Sequence, residues 1–198
     1  MTPRSLIIAV AILLAASLGM GAYVWHIRRV VVAQAPASET QAVAPPVSGP
    51  TEQVTLYIAY DSPGVLLPEA ASLPMPQDRQ QRARELLRVL ISKYLEKGSP
   101  HALAAGSDVR DVYLLDPGLA VIDFNAELAN GHRSGVLAEE LTLASAAQTL
   151  SMNVAGISSV KFLVDGKERE TLAGHADLTE IYDVSHITQM VSALGASE

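Results

Sequence analysis

Five histidines are the residues of this chain best suited to move protons or bind a metal near neutral pH. His26, His101, His132, His175 and His186 are scattered, however, and none has a second ligand at helical or hairpin spacing. The chain contains no cysteine, which excludes a disulfide framework, a thiolate zinc site, a cysteine nucleophile and a lipidated cysteine anchor together. No H-E-x-x-H, G-x-S-x-G, P-loop or G-x-G-x-x-G run occurs. Asp123-Phe124-Asn125-Ala126-Glu127 imitates the opening of a calcium loop, but its sixth position is Leu128 where that loop requires glycine. Asp123 and Asn125 read better as strand-end residues accepting backbone hydrogen bonds in a turn. No catalytic, cofactor or metal site is expected, and the protein is not read as an enzyme.

Two polar groupings remain. In Gly174-His175-Ala176-Asp177, His175 and Asp177 form a candidate structural or ligand cluster, in which Asp177 is expected to receive a proton from the imidazole or a backbone amide. Arg79, Arg82, Arg84, Arg88, Lys93 and Lys97 crowd one helical stretch of a chain with a net charge of −7. Arg79, Arg82, Arg88 and Lys93 are candidate contacts for an acidic partner, anionic lipid or wall polymer, against the plainer reading of a solvated helix face shared with Glu85 and Glu96. The other basic residues early in the chain, Arg4, Arg28 and Arg29, flank an apolar block, so the part beyond residue 35 carries 11 basic and 21 acidic residues. A net charge of −10 there argues against nucleic acid as a partner.

Elements that position these residues follow from periodicity. Val54, Leu56, Ile58 and Tyr60 alternate as a strand with one buried face, and the proline-rich passage through Pro68, Pro74 and Pro76 is expected to be a surface loop. Asp78 is placed to cap a helix whose apolar face is Ala83, Leu86, Leu87, Leu90, Ile91, Tyr94 and Leu95, ended by Gly98 and Pro100. Runs 108–116 and 118–125 around Asp116-Pro117-Gly118 predict a hairpin. After Ser134 a second helix is predicted, with Leu143, Ala147, Leu150 and Val154 as its buried line. Val160, Phe162 and Val164 form a fourth strand, and Glu170 to Leu172 a short fifth. The expected fold is α+β: a small mixed or antiparallel sheet of four to five strands, two helices on one face, in the order β-α-β-β-α-β.

Residues 5–27 form an apolar run long enough to span a bilayer, with Tyr23 and Trp25 near its end. A cleaved signal peptide is the competing reading, since Ala33-Gln34-Ala35 resembles a cleavage site, but the run exceeds the usual length and Arg28-Arg29 intervenes. The expected organisation is a cytoplasmic stub at 1–4, a transmembrane helix at 5–27, a Pro/Ala-rich linker at 28–53, a domain at 54–178 and a tail at 179–198. In the tail, Val184, Ile187, Met190, Val191 and Leu194 would line one helical face, to dock on the domain or join a partner helix.

Taken in order, several segments resemble the GerMN family of sporulation and spore-germination domains. They are Val54-Thr55-Leu56-Tyr57, the Leu-rich first helix closing on Gly98-Ser99-Pro100, Leu119 to Phe124, Leu141-Thr142-Leu143 with Gln148-Thr149-Leu150, Val160 to Lys167, and Thr171 to Leu178. The resemblance implies a non-catalytic domain displayed beyond the cytoplasmic (inner) membrane behind a single-pass anchor. It further implies a scaffold or adaptor role through other envelope proteins or self-association, without cofactors; a peptidoglycan or wall-glycan binding module is the alternative. Family members commonly carry two tandem copies and resemble the ring-building motif of sporulation channel proteins, whereas one copy stands here.

Overall fold

The computed structural model describes residues 49–186 and Gln189. The expected membrane span, nearly all of the linker and most of the tail lie outside the described residues. Among the described residues, no helix is long and apolar enough to cross a membrane. The described elements run β1 (Thr51–Tyr60), β2 (Val65–Pro74), α1 (Arg79–Leu95), β3 (Val109–Leu115), β4 (Leu119–Phe124), α2 (Ala126–Gly131), α3 (Val136–Asn153), β5 (Ser159–Val164) and β6 (Ile181–Asp183).

The class is α+β as expected, but the order differs. The strands form two sheets, an antiparallel β1–β2 ribbon and a four-stranded sheet ordered β3-β4-β5-β6, in which the β4–β5 pair is parallel. The expected proline-rich loop is therefore mostly strand β2. It tolerates proline because of register: Thr55, Tyr57 and Ala59 direct their backbone groups away from β2, so their neighbours Ala70, Pro68 and Leu66 face outward. Pro68 thus sits where no ladder hydrogen bond is lost, on an open edge that proline protects from further pairing. Residues 170–172 do not form the expected strand; Thr171 makes an isolated bridge to Asp177, and the sheet is completed by β6 instead. The extra helix α2 is capped by Asn125, which accepts from the Leu128 amide.

Asp78 caps α1 by accepting from the Gln81 amide at 2.8 Å. Six of the seven predicted apolar positions on α1 are buried, while Leu95 at the last turn is exposed. The Asp116-Pro117-Gly118 turn joins β3 and β4 as read from the sequence. Ala120, Ile122 and Phe124 of β4 and Val160, Phe162 and Val164 of β5 face one continuous core, where the Phe124 and Phe162 rings stack at 5.8 Å.

Helix α3 departs most from its expected amphipathic form. It is buried nearly all round from Ala138 to Ala147, as befits a helix covered on several sides. Four of its polar residues, Thr142, Ser145, Thr149 and Asn153, at spacings of three and four, fall in one stripe. Three of them serve the unpaired edge of β1. The Thr55 amide donates to Asn153 Oδ1 and the Tyr57 amide to Thr149 Oγ1, both at 2.9 Å. Asn153 Nδ2 donates to the Thr55 carbonyl and Ser145 Oγ to the Tyr57 carbonyl. Tyr94 of α1 adds its hydroxyl, which accepts from the Ala59 amide at 2.8 Å and meets Ser145 Oγ at 2.5 Å. Side chains thereby take the place of a neighbouring strand, satisfying buried backbone groups that would otherwise be orphaned.

Candidate functional site

The remaining residue of the stripe, Thr142, organises the most concentrated polar chemistry in the domain. His101 Nε2 and His132 Nε2 each lie 2.7 Å from Thr142 Oγ1. His101 Nδ1 lies 2.7 Å from Asp61 Oδ1, and Arg133 holds the other Asp61 oxygen at 2.6 Å. His132 Nδ1 faces the Arg133 carbonyl at 2.7 Å, and Thr142 Oγ1 reaches the Ala138 carbonyl at 3.2 Å. Tyr94 meets the His101 ring edge-on at 5.0 Å.

Counting hydrogens constrains this network. Carboxylate and carbonyl oxygens only accept, so both Nδ1 atoms carry a hydrogen. Two neutral imidazoles would then present two bare Nε2 atoms to one hydroxyl hydrogen. The same hydrogen also faces the Ala138 carbonyl, so one hydroxyl cannot donate to all three acceptors at once. Burial pushes the His132 ring toward its neutral form, while the His101 ring faces the Asp61 carboxylate. Burial would raise that carboxyl, but bonds from His101 and Arg133 outweigh it and hold it below its ordinary value.

Asp61, His101 and Thr142 have the residue types of a carboxylate–imidazole–hydroxyl triad. Their surroundings do not permit nucleophilic attack. His101 is 1% exposed and Thr142 4%. Both imidazoles crowd the hydroxyl oxygen, and the remaining direction is filled by the helix backbone, so no substrate carbonyl can approach it. The arrangement ties α3 to the loops after β1, α1 and α2.

Three residues earlier on α3, Glu139 is wholly buried and works as an anion inside a ring of donors. Its oxygens accept from the amides of Ala173, His175 and Ala176 at 2.9, 3.0 and 2.9 Å, from the Gly135 amide at 3.1 Å, and meet His175 Nδ1 at 3.0 Å. Burial alone would raise its carboxyl; the amides of Ala173 and Ala176, His175 and Gly135 instead lower it to about 2. Glu140 beside it has the opposite fate, pushed up to about 7 by burial and then by the Glu139 charge, with Oε2 lacking a partner.

The residues singled out from sequence are distributed as follows. His175 lies against Glu139 and Ser134 rather than Asp177. Asp177 is exposed and accepts from the amide and hydroxyl of Thr179, both at 2.7 Å. On α1, Arg82 pairs with Glu52 at 2.8 Å, Lys93 with Glu69 at 2.7 Å and Arg88 with Asp108 at 3.4 Å, while Arg79 donates to the Ala155 carbonyl at 2.7 Å. Each of these four cations fastens α1 to a different neighbouring segment. Asp123 accepts from the Gly166 amide and Asn125 from the amides of Asp108 and Leu128, the strand-end role expected of them. Among the described residues, no three His, Asp or Glu side chains are grouped to hold a metal ion. His26 lies outside the described residues. The imidazole pair was missed because His101 and His132 flank Thr142 from separate loops; the polar stripe on a buried helix was the signal that pointed to it.

A comparison with protein-family models matches residues 55–170 to Germane, described as sporulation and spore germination. Among solved structures, the chain is similar to the tandem GerMN domains of the sporulation protein GerM from Bacillus subtilis, at 21% identity and a TM-score of 0.50, covering 66% of this chain and 45% of that one. It is also similar to the first GerMN domain of the same protein, at 21% identity and TM-score 0.49, covering 66% and 95%. A Clostridium perfringens chain described as a lipoprotein matches at 18% identity and TM-score 0.48, covering 72% and 93%. No curated protein sequence matches. With more than half of its length matched by the family model, the chain belongs to the sporulation and spore germination family, as a non-catalytic domain of the GerMN type.

Proposed function

We propose that this protein is a single-pass membrane-anchored scaffold of the cell envelope, its one GerMN-type domain held on the far side of the cytoplasmic membrane to bind another envelope protein. The family match supports the domain's role, and the apolar run 5–27 supports the anchor. The observation that carries the contact is the outer face of the four-stranded sheet. Tyr113, Val121, Lys161 and Ile181 stand in one cross-strand row there, opposite the core-facing side chains. Lys161 is covered by Glu168 and the Thr179 carbonyl, but Tyr113 is 42% and Ile181 59% exposed. Exposed aromatic and aliphatic side chains grouped on one face mark a protein contact better than isolated ones do. The acidic balance beyond residue 35 disfavours a second copy as the occupant.

A photo-crosslinking residue at position 181 of the full-length protein, in intact cells, tests this. The expected result is a discrete adduct with an identified envelope protein, abolished by Tyr113→Asp. Adducts with muropeptides alone would replace the scaffold reading by wall binding, and adducts with a second copy would make the contact self-association. Binding of wall polymer or anionic lipid through Arg79, Arg82, Arg88 and Lys93 stands second, since it competes with the internal contacts those residues already make.

A further inference from the structure

Strand β3 is an edge of the four-stranded sheet, and its last turnward residues leave backbone groups unpaired. The Val112 amide donates to Asp111 Oδ1 at 2.8 Å, and the Leu115 carbonyl accepts from the Gly118 amide at 3.0 Å inside the β3–β4 turn. Backbone groups alternate along an antiparallel strand, so those of Tyr113 and Leu115 face β4 while those of Val112 and Leu114 face outward. Asp111 occupies the Val112 amide. The Leu114 amide and carbonyl are left as a donor and acceptor on the open edge. Strand β2 guards its own edge with Pro68; Leu114 has a free N–H instead.

Leu114 also lines a groove of about 510 Å³, whose walls include Leu115, Leu119, Ile157, Asp116 and Arg79. Its shape is fixed by the fold. The amides of Ser158 and Ser159 donate to the Gly118 carbonyl at 2.9 and 3.2 Å, tying the β3–β4 turn to the turn between α3 and β5. Arg79 Nη2 ties the start of α1 to the same place by donating to the Ala155 carbonyl at 2.7 Å. The lining is both apolar and charged. Leu115 is 51% exposed. Arg82, Arg88 and Lys93 each meet a carboxylate, whereas among the described residues no carboxylate pairs with the exposed Arg79. A guanidinium carries five N–H donors, of which the Ala155 carbonyl engages one. Asp116 lines the groove but makes no ion pair with Arg79.

We infer that this groove takes an extended segment of a partner protein, which pairs its backbone with Leu114, lays aliphatic side chains on Leu115, Leu119 and Ile157, and presents one carboxylate to Arg79. Three separate features select this occupant. A donor and acceptor on a strand edge call for extended backbone, the leucines for aliphatic side chains, and the unpaired guanidinium for an anion that it can grip through two N–H groups. Asp116 disfavours a second carboxylate. The segment pairs only briefly, because Asp111 closes the edge one step further along β3. This goes beyond the contact proposed for the outer face of the sheet and does not depend on it.

The test uses the full-length protein and fluorescein-labelled hexapeptides of alternating Leu and Thr, blocked at both ends, with a single Asp moved through each position in turn. At least one probe is expected to bind by fluorescence polarisation. Its affinity is expected to fall about fivefold when its Asp becomes Asn, and about as much in Arg79→Gln. Saturating probe is expected to slow hydrogen exchange of the Leu114 amide about tenfold. Ile181→Asp, on the opposite edge of the sheet, is expected to leave the affinity unchanged, which separates this site from the outer-face contact. Changing the probe rather than the protein guards against a misfolded variant. Failure of every probe to bind, equal affinity for the Asp and Asn probes, or a Leu114 amide unprotected in the saturated complex would overturn the proposal. Loss of binding in Ile181→Asp would also overturn it, by moving the segment to the outer face.

Discussion

The two ends of α3 present opposite solutions to the same problem. At its N-terminal end, Glu139 and Thr142 gather charged and polar groups from four loops and satisfy them inside the domain. Some 25 Å away along the helix axis, the turn that follows its C-terminus borders a groove lined by Leu114, Leu115, Leu119 and Ile157 together with Arg79 and Asp116, and Leu115 there stays exposed. Polar residue types that could support catalysis are thus consumed by structure, while the unremarkable apolar ones remain open. In a domain of a non-catalytic family, the surface available for binding is to be sought among the leucines and tyrosines.

If that division holds, substitutions at the closed end act on stability and those on the open surfaces act on binding. The largest effect is expected from Glu139→Ala, which leaves four amides, that of Ala176 buried and the others part-buried, and His175 without this acceptor. A loss of about 3–4 kcal/mol is expected in denaturant unfolding. The same residue has a pH signature. Its folded carboxyl lies below the ordinary 4.5, so its contribution is full above pH 4.5 and is lost as pH falls toward 2. Thr142→Val keeps the volume but removes the hydroxyl that both imidazoles share, and a loss of about 2–3 kcal/mol is expected by thermal or chemical unfolding.

Glu140 sharpens the comparison because its sign is reversed. Its folded carboxyl is raised to about 7 from 4.5, so the domain is stabilised fully below pH 4.5 and loses that contribution as pH rises through 7. Glu140→Gln, which stays neutral, is expected to stabilise the domain by about 1–2 kcal/mol at pH 8, discounted for residual solvent access. It should be nearly neutral at pH 4. Unfolding curves at the two pH values check this. Smallest is Tyr113→Asp on the open sheet face, expected within about 0.5 kcal/mol of the parent protein, although it abolishes the proposed contact.

Much of the frame was legible because it rests on local rules. Ala83 to Tyr94 repeat at helical spacing and are buried accordingly, Asp78 caps as its position suggests, and Asp116-Pro117-Gly118 turns a hairpin. Strand β2 was hidden because Pro68 and Pro74 argue against pairing, and only the register shows that Pro68 faces an edge with nothing to bond. Helix α3 misled for a related reason. Its polar stripe looks solvent-facing by pattern, yet Ser145, Thr149 and Asn153 face a strand edge and Thr142 two imidazoles. The imidazole network joins residues up to 81 positions apart, from Asp61 to Thr142, which no local spacing rule can bring together. Glu139 carried a weak signal, a carboxylate in an apolar helix, but its acceptor role depends on a loop more than 30 residues downstream.

The claim that the closed end is structural can be tested most directly by the partner-crosslinking yield of full-length Thr142→Val, compared with the parent protein at a temperature where both are folded. An unchanged yield is predicted, because the hydroxyl and its imidazoles hold loops together and touch no partner. A yield that collapses while the fold remains intact would show that the network itself carries the function.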